Sequence, residues 1–388
     1  MLTLLFAFLV ADMATLQASL GIDLPSKKFT SPQQFQSPSL ELADLLEQSF
    51  DQPLDFPRFR ESVFPGDKVV VVLHADLPQP QEIVRSIAKY LETTEIDTAD
   101  VTFLASVNFD SCGKDCPEIV VHDPDDEQAV AYIAANLEGQ PVLVNRMLFE
   151  ADVILPVCSA TNIDGIIEDC IYPSFSATET KLRYRDKKNS ANSRALEVET
   201  ANNGLGVFQS LQIVSNPGSE VSGAFFGRKD LAEQTASTKS ETMWSVESTE
   251  KSNVVVATME SLSGQQTWEH FFQAVISASR AVADCDHLVI LCELAKKPNK
   301  RVQAMLQLQF EMDPDSVNRV LKKATESEKE VAEIMREKKV YMKSQLGQAT
   351  VEGLGIGFIN SDDEFQRLLE RFETGVLLRD AQFCRLKN

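Results

Sequence analysis

Four apolar segments between residues 68 and 157 constrain the fold of this chain more than any other feature. They read KVVVVLH, DVTFLAS, PEIVVHD and DVILPV, and each is too short for a typical helix. The amphipathic segment QPQEIVRSIAKYLETT separates the first two, and DEQAVAYIAANL, which we predict to be helical, follows the third. Strands that are apolar on both faces and alternate with helices are typical of a parallel sheet covered on both sides. The pattern therefore predicts an α/β fold.

The chain is long enough for two such domains, because 388 residues exceed the usual size of one. A second set of apolar segments, NVVVATM, HLVILCEL and GIGFIN, follows a stretch that is mostly Ser, Thr, Glu and Lys. We predict an N-terminal α/β domain over 13–232, a linker over 233–252 and a C-terminal α/β domain over 253–388. We expect mainly parallel sheets with a cleft between the domains, and a site beyond the carboxyl ends of the strands. The segment over 16–25 alternates apolar and polar residues, as an edge strand does.

The net charge of −21 limits the class of partner. An acidic surface repels nucleic-acid phosphates and anionic membrane surfaces, so we expect neither as a partner. A small anionic ligand or a nucleotide remains compatible with it, because net charge does not describe a local cleft. The apolar run over 2–10 is too short to span a bilayer. It resembles the core of a signal peptide, although no Lys or Arg precedes it; the other interpretation is an over-extended start, with Met13 as the initiator.

Seven cysteines are scattered along the chain, several of them in apolar runs such as LPVCSA and VILCEL. This distribution predicts free, buried thiols in a reducing compartment, and therefore a cytoplasmic location. Cys112, Cys116 and His122 come nearest to a zinc site. A CxxxC pair with one distant histidine is a weak match to zinc-site spacing, so we predict no metal site.

The best candidate for a binding loop follows the first apolar strand and reads HADLPQP. Pro78 and Pro80 fix the backbone there and make the loop rigid. Asp76 can accept hydrogen bonds from ligand hydroxyl groups; alternatively, it caps the helix that we predict over 81–93. Gln79 lies between the two prolines and is the second candidate binding residue of this loop.

Asn145 and Arg146 end the strand within GQPVLVNRMLFEADVILPV. An arginine at a strand end can hold a phosphate or carboxylate with two parallel hydrogen bonds. Asn145 and Arg146 are therefore candidate binding residues. The alternative for Arg146 is a structural salt bridge to Glu150 or Asp152.

Few side chains can act as a general base, because the chain contains four histidines. His122 ends the third apolar strand and is followed by Asp123, a pairing that serves either acid–base chemistry or the capping of a turn. His74 ends the first strand and is a weaker catalytic candidate. Thr267 is expected to cap the helix that begins in QQTWEHFFQAV, and Gln273 lies in that helix.

The order of these motifs resembles that of the LarA family, the nickel-pincer-nucleotide lactate racemases and their relatives. The similarity is strongest in VFPGDKVVVVLHADLPQP, DVTFLAS, VVHDPDDEQAVAYI and GQPVLVNRMLFEADVILPV. The last of these is similar to the family's PVxVNRxxxEAD strand pair. The resemblance implies two α/β domains with the site between them. It also implies a nickel-pincer nucleotide that accepts a hydride from C2 of a 2-hydroxy acid, while histidines remove and return the hydroxyl proton.

The residues on which that chemistry depends differ in this chain. The family's Asp-x-Thr-Arg-Pro motif matches at Asp76, but its threonine falls on Pro78 and its arginine on Gln79. The histidine of the next strand tip, a Gly-Thr-His-Arg type sequence in the family, falls on Phe109 and its arginine on Asp110. A phenyl ring cannot accept a proton.

The family's third motif is also altered. The segment that carries a histidine and the cofactor-tethering lysine in the family reads CSATNIDGIIEDCIYPSF here and contains neither. Of the family's Gln-x-x-Lys pair, Gln273 remains as a weak catalytic candidate, and Ile276 takes the place of the lysine. A positioned base contributes on the order of 10²–10⁴ in rate, so these losses remove the chemistry unless Lys181 or His74 forms a relocated site. We therefore expect no cofactor, with the nickel-pincer nucleotide implied only if the family chemistry survives.

Three hypotheses follow from the sequence. In the first, the chain keeps the LarA fold but has lost the racemase chemistry, and Asp76, Gln79, Asn145 and Arg146 bind a small anion or nucleotide. In the second, it is an active, divergent racemase or epimerase of an unknown 2-hydroxy acid. In the third, it is a non-catalytic scaffold that acts through its acidic surface and the charged helices at 315–339.

Overall fold

The computed structural model describes residues 29–33, 40–109, 116–136, 138–160, 169–184, 191–218, 220–261, 266–310, 320 and 324–387. These residues divide into two units. The C-terminal unit combines residues 29–33, which contain β1 (Phe29–Thr30), with residues from 241 onward, and the N-terminal unit lies within 36–240. The edge strand predicted over 16–25 lies outside the described residues.

Within the described ranges, no helix has the length and apolar character needed to cross a membrane.

The N-terminal unit is built on a mainly parallel sheet. Its strands and helices are α1 (Leu42–Asp51), β2 (Val69–Leu73), α2 (Pro80–Leu91), β3 (Val101–Ala105), β4 (Ile119–Val121), β5 (Val130–Ala135), β6 (Pro141–Asn145), α3 (Arg146–Phe149), β7 (Val153–Ser159), α4 (Thr178–Tyr184), α5 (Ala191–Leu205), β8 (Gln209–Ser215) and β9 (Val221–Arg228). Six strands form one sheet in the order β4-β3-β2-β7-β8-β9, and its one antiparallel pair is β8 with β9. The predicted α/β class is confirmed.

The central strand β2 shows why these strands read as unbroken apolar runs. Val69, Val71 and Leu73 point to one face, where they pack in a core that includes residues of α1 and α2. Val70 and Val72 point to the other face, which is covered by side chains from the segment 170–175. Both faces are therefore buried, as the sequence predicted.

The helix that we predicted in DEQAVAYIAANL is wrong. Residues 130–135 form β5, which pairs antiparallel with β6 in a separate two-stranded sheet. The segment carries Val130, Tyr132 and Ile133, which are β-branched or aromatic and suit a pleated surface. The Asn136 side chain shapes the following turn, because its Oδ1 accepts hydrogen bonds from the N–H groups of Glu138 and Gln140.

The C-terminal unit contains a second parallel sheet. The helix α6 (Lys229–Trp244) contains the boundary between the two units. The elements that follow it are β10 (Ser245–Glu247), β11 (Thr249–Lys251), β12 (Val254–Thr258), α7 (Trp268–Ala281), β13 (Val282–Asp284), β14 (His287–Leu291), α8 (Lys300–Leu306), α9 (Glu326–Glu337), β15 (Lys339–Lys343), α10 (Gln348–Gly353), β16 (Gly357–Phe358), α11 (Asp362–Leu369), β17 (Gly375–Leu378) and β18 (Arg385–Lys387). The sheet has the order β1-β17-β12-β14-β15-β16 with all neighbours parallel. Two short parallel pairs, β10 with β18 and β11 with β13, complete the unit.

The N-terminal boundary of the units differs from the predicted one, because β1 pairs with β17. The Phe29 ring lies against Gly375, where any Cβ atom would come within 2.1 Å of the ring. Next to it, Gln33 Oε1 accepts a hydrogen bond from the Arg379 N–H at 2.7 Å, and Gln33 Nε2 donates to the Arg379 carbonyl at 2.6 Å. Contacts this distant along the chain leave no pattern in local sequence.

The linker predicted over 233–252 also differs from the structure, because its first half continues the helix α6. The buried face of α6 includes Ala232, Ala236 and Ser240, which are spaced four residues apart. These side chains are small, and the large buried residues Met243 and Trp244 lie only in the last turn, so most of the helix lacks the periodic large apolar residues by which an amphipathic helix is predicted.

Candidate functional site

His74 lies at the carboxyl edge of the N-terminal sheet, where the parallel strands β2, β3, β4 and β7 end together. Its N–H donates to the Val157 carbonyl at 3.0 Å, so the backbone follows β7 before it turns. His74 Nδ1 accepts a hydrogen bond from the Asp76 N–H at 3.2 Å. Because Nδ1 accepts, the ring N–H is at Nε2, which has no partner among the described residues.

Gln79 begins the helix that follows this loop. It is the N-cap of α2, is exposed, and adopts a left-handed backbone with φ +47°. Its side chain makes no capping hydrogen bond, and Pro80 occupies the first helical position, where proline is favoured. A non-glycine residue in this conformation is uncommon; Asp55 and Asp380 also adopt it in this chain, and such residues are enriched at turns and at ligand-binding sites. Gln79, and not Asp76, occupies the N-cap position of α2.

His122 and Asn145 are brought together in the buried interior, at the ends of β4 and β6. Asn145 Nδ2 donates to His122 Nδ1 at 3.0 Å, and His122 Nε2 donates to the Ser176 carbonyl at 3.1 Å. Burial is the main cause that lowers the pKa of His122. Asp123, its predicted partner, accepts a hydrogen bond from the Asp125 N–H at 3.0 Å, as in the capping of a turn. The imidazole of His122 is thus neutral and has both nitrogens occupied by the protein.

Asn145 and Arg146 are bonded to the protein itself. Asn145 Oδ1 caps α3 by accepting from the Met147 N–H at 2.9 Å. The Arg146 guanidinium is exposed, and it donates from Nε to the Gln128 carbonyl at 2.9 Å and from Nη2 to the Val130 carbonyl at 3.1 Å. These two backbone contacts hold the guanidinium against β5, and neither is the carboxylate contact that we considered.

Gln273 lies in α7, in the C-terminal unit, and is half-buried. The cap of this helix is as predicted: Thr267 Oγ1 accepts from the His270 N–H at 3.3 Å, and His270 Nδ1 accepts from the Thr267 N–H at 3.1 Å. The helix start is therefore well defined, but Gln273 belongs to a different unit from the other candidate residues.

Comparison with known proteins identifies the fold. No protein-family model matches this chain, and no curated protein sequence matches it. The solved structure of the lactate racemase apoprotein from Thermoanaerobacterium thermosaccharolyticum is 14% identical, with a TM-score of 0.65, over 94% of this chain and 97% of that one. A Thermotoga maritima protein solved by the Northeast Structural Genomics Consortium is 13% identical, with a TM-score of 0.52, over 83% of this chain and 94% of that one.

The chain has the lactate racemase fold. At this level of identity the comparison establishes the fold alone, and the LarA-like architecture that the sequence resembles is confirmed.

Two altered positions and one altered segment are informative within the lactate racemase fold. Phe109, on which the resemblance places a histidine, is 7% exposed and packs in the apolar core of the N-terminal unit. Ile276, on which the resemblance places a lysine, is 5% exposed in α7. Cys170, Ile171 and Phe175, from the segment without histidine or lysine, cover the second face of the sheet. All of these side chains contribute to packing.

A buried ion pair that our sequence analysis missed holds this segment in place. Asp169 Oδ1 accepts from the N–H groups of Ile171 at 2.9 Å and Tyr172 at 3.2 Å. Asp169 Oδ2 accepts from Asn202 Nδ2 at 3.0 Å and pairs with Lys229 Nζ. Burial lowers the pKa of Lys229, but nearby carboxylates outweigh it and the net shift is upward. The one signal in the sequence was an acidic residue, Asp169, within an apolar stretch. A carboxylate buried in such a stretch requires a cation or hydrogen-bond donors as partners.

Five of the described cysteines are free thiols, namely Cys158, Cys170, Cys285, Cys292 and Cys384. Cys116 is disulfide-bonded, so the expectation of free thiols is wrong at this position. The spacing of cysteines in a sequence does not determine which of them pair. Cys112 lies outside the described residues. In the part of the chain that is described, no group of three or more His, Cys, Asp or Glu side chains could hold a metal ion.

Proposed function

We propose that this lactate-racemase-fold protein lacks nickel-dependent racemase activity and binds a small anionic ligand or a nucleotide at the carboxyl edge of its N-terminal sheet. Phe109 is the observation that carries the first part. Its ring lies in an apolar core, at the position where the resemblance places a proton-transferring histidine. A positioned base contributes on the order of 10²–10⁴ in rate, and a phenyl ring supplies no proton acceptor.

The side chains of this chain do not fit a nickel-pincer nucleotide. The tether of that cofactor is a lysine, and the segment at the corresponding place contains none. Its described part is filled with buried apolar side chains and the Asp169 ion pair. The resemblance places a second lysine at Ile276, and the buried isoleucine side chain supplies no positive charge there. We therefore propose that the chain holds no such cofactor.

His74 supports ligand binding at the carboxyl edge. Its Nδ1 is occupied by the Asp76 N–H, so its Nε2–H is available to donate to a ligand oxygen. The helix α2 begins at the same loop, and the positive end of a helix dipole attracts anions. Gln79 adds an exposed amide at that helix start. Asn145 and Arg146, by contrast, contribute by holding their own loop in place.

We propose neither nucleic acid nor a membrane as partner, because a net charge of −21 repels both. The cytoplasmic location stays a prediction. The five free thiols favour a reducing compartment, and the Cys116 disulfide weighs against one.

Thermal unfolding of the full chain tests the binding proposal. Phosphate, adenosine monophosphate and each enantiomer of lactate are added separately over a concentration series. We expect at least one of them to raise the melting temperature, because a ligand that binds the native state stabilises it. His74→Gln should abolish the shift, whereas His287→Gln, a matched change in the C-terminal unit, should keep it. If no ligand raises the melting temperature of the unaltered protein, the binding proposal fails and the scaffold hypothesis is supported.

An active but divergent racemase or epimerase is the second candidate function. His74 favours it, since this histidine combines a half-buried position with an Nε2 that no described residue occupies. This candidate requires bound nickel, which separates it from the first.

A further inference from the structure

A cavity at the amino edge of the C-terminal sheet lies in a different unit from His74. Its volume is about 430 Å³, which falls within the range of about 300–1,000 Å³ that is usual for small-molecule sites. Its lining residues stand at or just before the start of three neighbouring parallel strands, β17, β12 and β14. All of them belong to the C-terminal unit, so the cavity is formed within one unit.

The order of the three strands gives the cavity its floor and its two walls. Because β12 lies between β17 and β14, Asn253 stands before the middle strand, and the segments before β17 and β14 lie on either side. The rings of Phe372 and His287, one from each side, meet at 4.9 Å between their centroids. Asn253 Oδ1 accepts from the Thr374 N–H at 3.1 Å. This bond orients the amide, and its Nδ2 has no partner among the described residues.

Four ionisable side chains at this cavity have no hydrogen-bond or ion-pair partner within the described part of the chain, namely Asp286, His287, Arg371 and Glu373. His287 is half-buried and the other three are exposed. Burial, and after it the charge of Lys339, lowers the pKa of His287. The imidazole is therefore neutral near pH 7, and one of its nitrogens can accept a hydrogen bond.

The charges of these side chains select the class of ligand. A guanidinium can hold a carboxylate with two parallel hydrogen bonds, whereas carboxylates and a neutral imidazole can accept from an ammonium group. A simple anion would meet the two carboxylates, and a simple cation would meet Arg371. A zwitterion complements both signs of charge. Phosphate, adenosine monophosphate and lactate carry no ammonium group, so His287→Gln remains a suitable control for the anion site in the N-terminal unit.

We propose that this cavity binds a free amino acid with an aromatic side chain. Arg371 and the Asn253 amide donate to the carboxylate of the ligand. Asp286 and Glu373 accept from its ammonium group. Its ring packs against Phe372, since pairs of aromatic rings attract each other beyond the area that they bury. Ion pairs of exposed side chains are individually weak, so we expect a dissociation constant on the order of 0.1–1 mM.

Nuclear magnetic resonance of the full-length protein with isotope-labelled histidine rings tests the proposal. The chain contains four histidines, so His287→Gln identifies the signal of His287, and His74→Gln identifies that of His74. L-Phenylalanine is added to concentrations well above the expected dissociation constant. We expect the His287 signal to move until the site is saturated and the His74 signal to stay unchanged.

Two analogues of L-phenylalanine separate a zwitterion site from a site for one charge. 3-Phenylpropionate lacks the ammonium group, and phenethylamine lacks the carboxylate. Each analogue keeps the ring but meets side chains of its own sign of charge. We expect each to bind at least about fivefold more weakly than L-phenylalanine, as the loss of one ion pair predicts.

Arg371→Gln removes the group that holds the carboxylate. It should weaken binding of L-phenylalanine by about five- to tenfold. The folded state should persist, because the guanidinium has no partner to lose within the described chain. The matched control is Arg367→Gln, an exposed arginine of α11 outside the cavity lining, which should leave binding unchanged.

Each of the following results would overturn the proposal. L-Phenylalanine moves no His287 signal, or moves that of His74 alone. Either analogue binds as tightly as L-phenylalanine, which would indicate a site for a simple anion or a simple cation. Arg371→Gln binds L-phenylalanine as tightly as the unaltered chain does.

Discussion

Lys229→Met leaves the Asp169 carboxylate buried without its cation. The side chains of the pair are 19% and 5% exposed, so water screens their charges only weakly. Removing one partner of a buried ion pair costs about 3–5 kcal/mol. Asp169 keeps its hydrogen bonds from Ile171, Tyr172 and Asn202, which partly stabilise the remaining charge. We therefore expect a loss near the lower end, about 3 kcal/mol in the free energy of unfolding.

Removing the negative charge as well should recover part of this loss. The double variant Asp169→Asn/Lys229→Met removes both charges of this pair and leaves Glu233, which also pairs with Lys229 at 3.2 Å, as the remaining carboxylate nearby. Asn202 Oδ1 has no hydrogen-bond partner among the described residues, so its amide can turn to accept from the new amide. We expect a recovery of about 1–2 kcal/mol relative to Lys229→Met. The matched control is Lys329→Met, whose pair with Glu326 is exposed at 36% and 90% and should cost less than about 0.5 kcal/mol.

Urea unfolding followed by far-ultraviolet circular dichroism measures these changes. Tryptophan fluorescence is not suitable, because Trp244 and Trp268 both belong to the C-terminal unit. Hydrogen exchange at the amides of Ile171 and Tyr172, which donate to Asp169, reports the local effect. The reasoning is refuted if Lys229→Met costs no more than Lys329→Met, or if the double variant is no more stable than Lys229→Met.

Three further predictions concern other parts of the N-terminal unit and one control position. The pKa of His122 is lowered in the folded protein, so between that value and the unfolded value of about 6.5 the folded state binds fewer protons than the unfolded state. Its contribution to the free energy of unfolding is therefore present above 6.5 and lost as the pH falls through this window. His122→Gln should reduce the difference between urea unfolding at pH 7.5 and pH 5.5, and an unchanged difference would contradict the assignment. Gly227→Ala places a Cβ atom 2.3 Å from the Leu54 carbonyl oxygen and should cost at least about 1–3 kcal/mol. The control Gly347→Ala has open space around the new methyl group and should change the free energy of unfolding by less than about 0.5 kcal/mol. Thermal unfolding of both glycine variants measures the two changes. Phe109→His should lower stability by about 1.5–3 kcal/mol, because it replaces a buried apolar ring, and should give no interconversion of lactate enantiomers in a chiral assay.

The sequence predicted the parallel sheet of the N-terminal unit because its strands have an unmistakable pattern. Strands β2, β3 and β7 are mainly apolar on both faces, whereas an amphipathic helix or a half-exposed strand has polar residues at regular intervals. The β5 strand was missed because Val130 and Ile133 also fit a helical spacing, and only pairing with β6 decides between the two. The helix α6 was missed because small residues form its buried face as far as Ser240, and the large buried residues Met243 and Trp244 come only at its end.

The candidate site was harder to predict than the fold, because residue type does not fix the direction of a side chain. Asn145 and Arg146 stand at a strand end, as expected, but their polar groups bond to His122 and to backbone carbonyls. The pairing of Asp169 with Lys229 joins residues far apart along the chain and leaves no local pattern. His74, a weak candidate in the sequence, is the residue whose geometry best supports ligand contact.

The nickel content of the full-length protein, produced together with the enzymes that build the nickel-pincer nucleotide, tests the central claim most directly. The same preparation is assayed for interconversion of 2-hydroxy-acid enantiomers, with an active lactate racemase as the positive control. We predict nickel far below one atom per chain and no interconversion. One nickel per chain together with enantiomer interconversion would contradict the account.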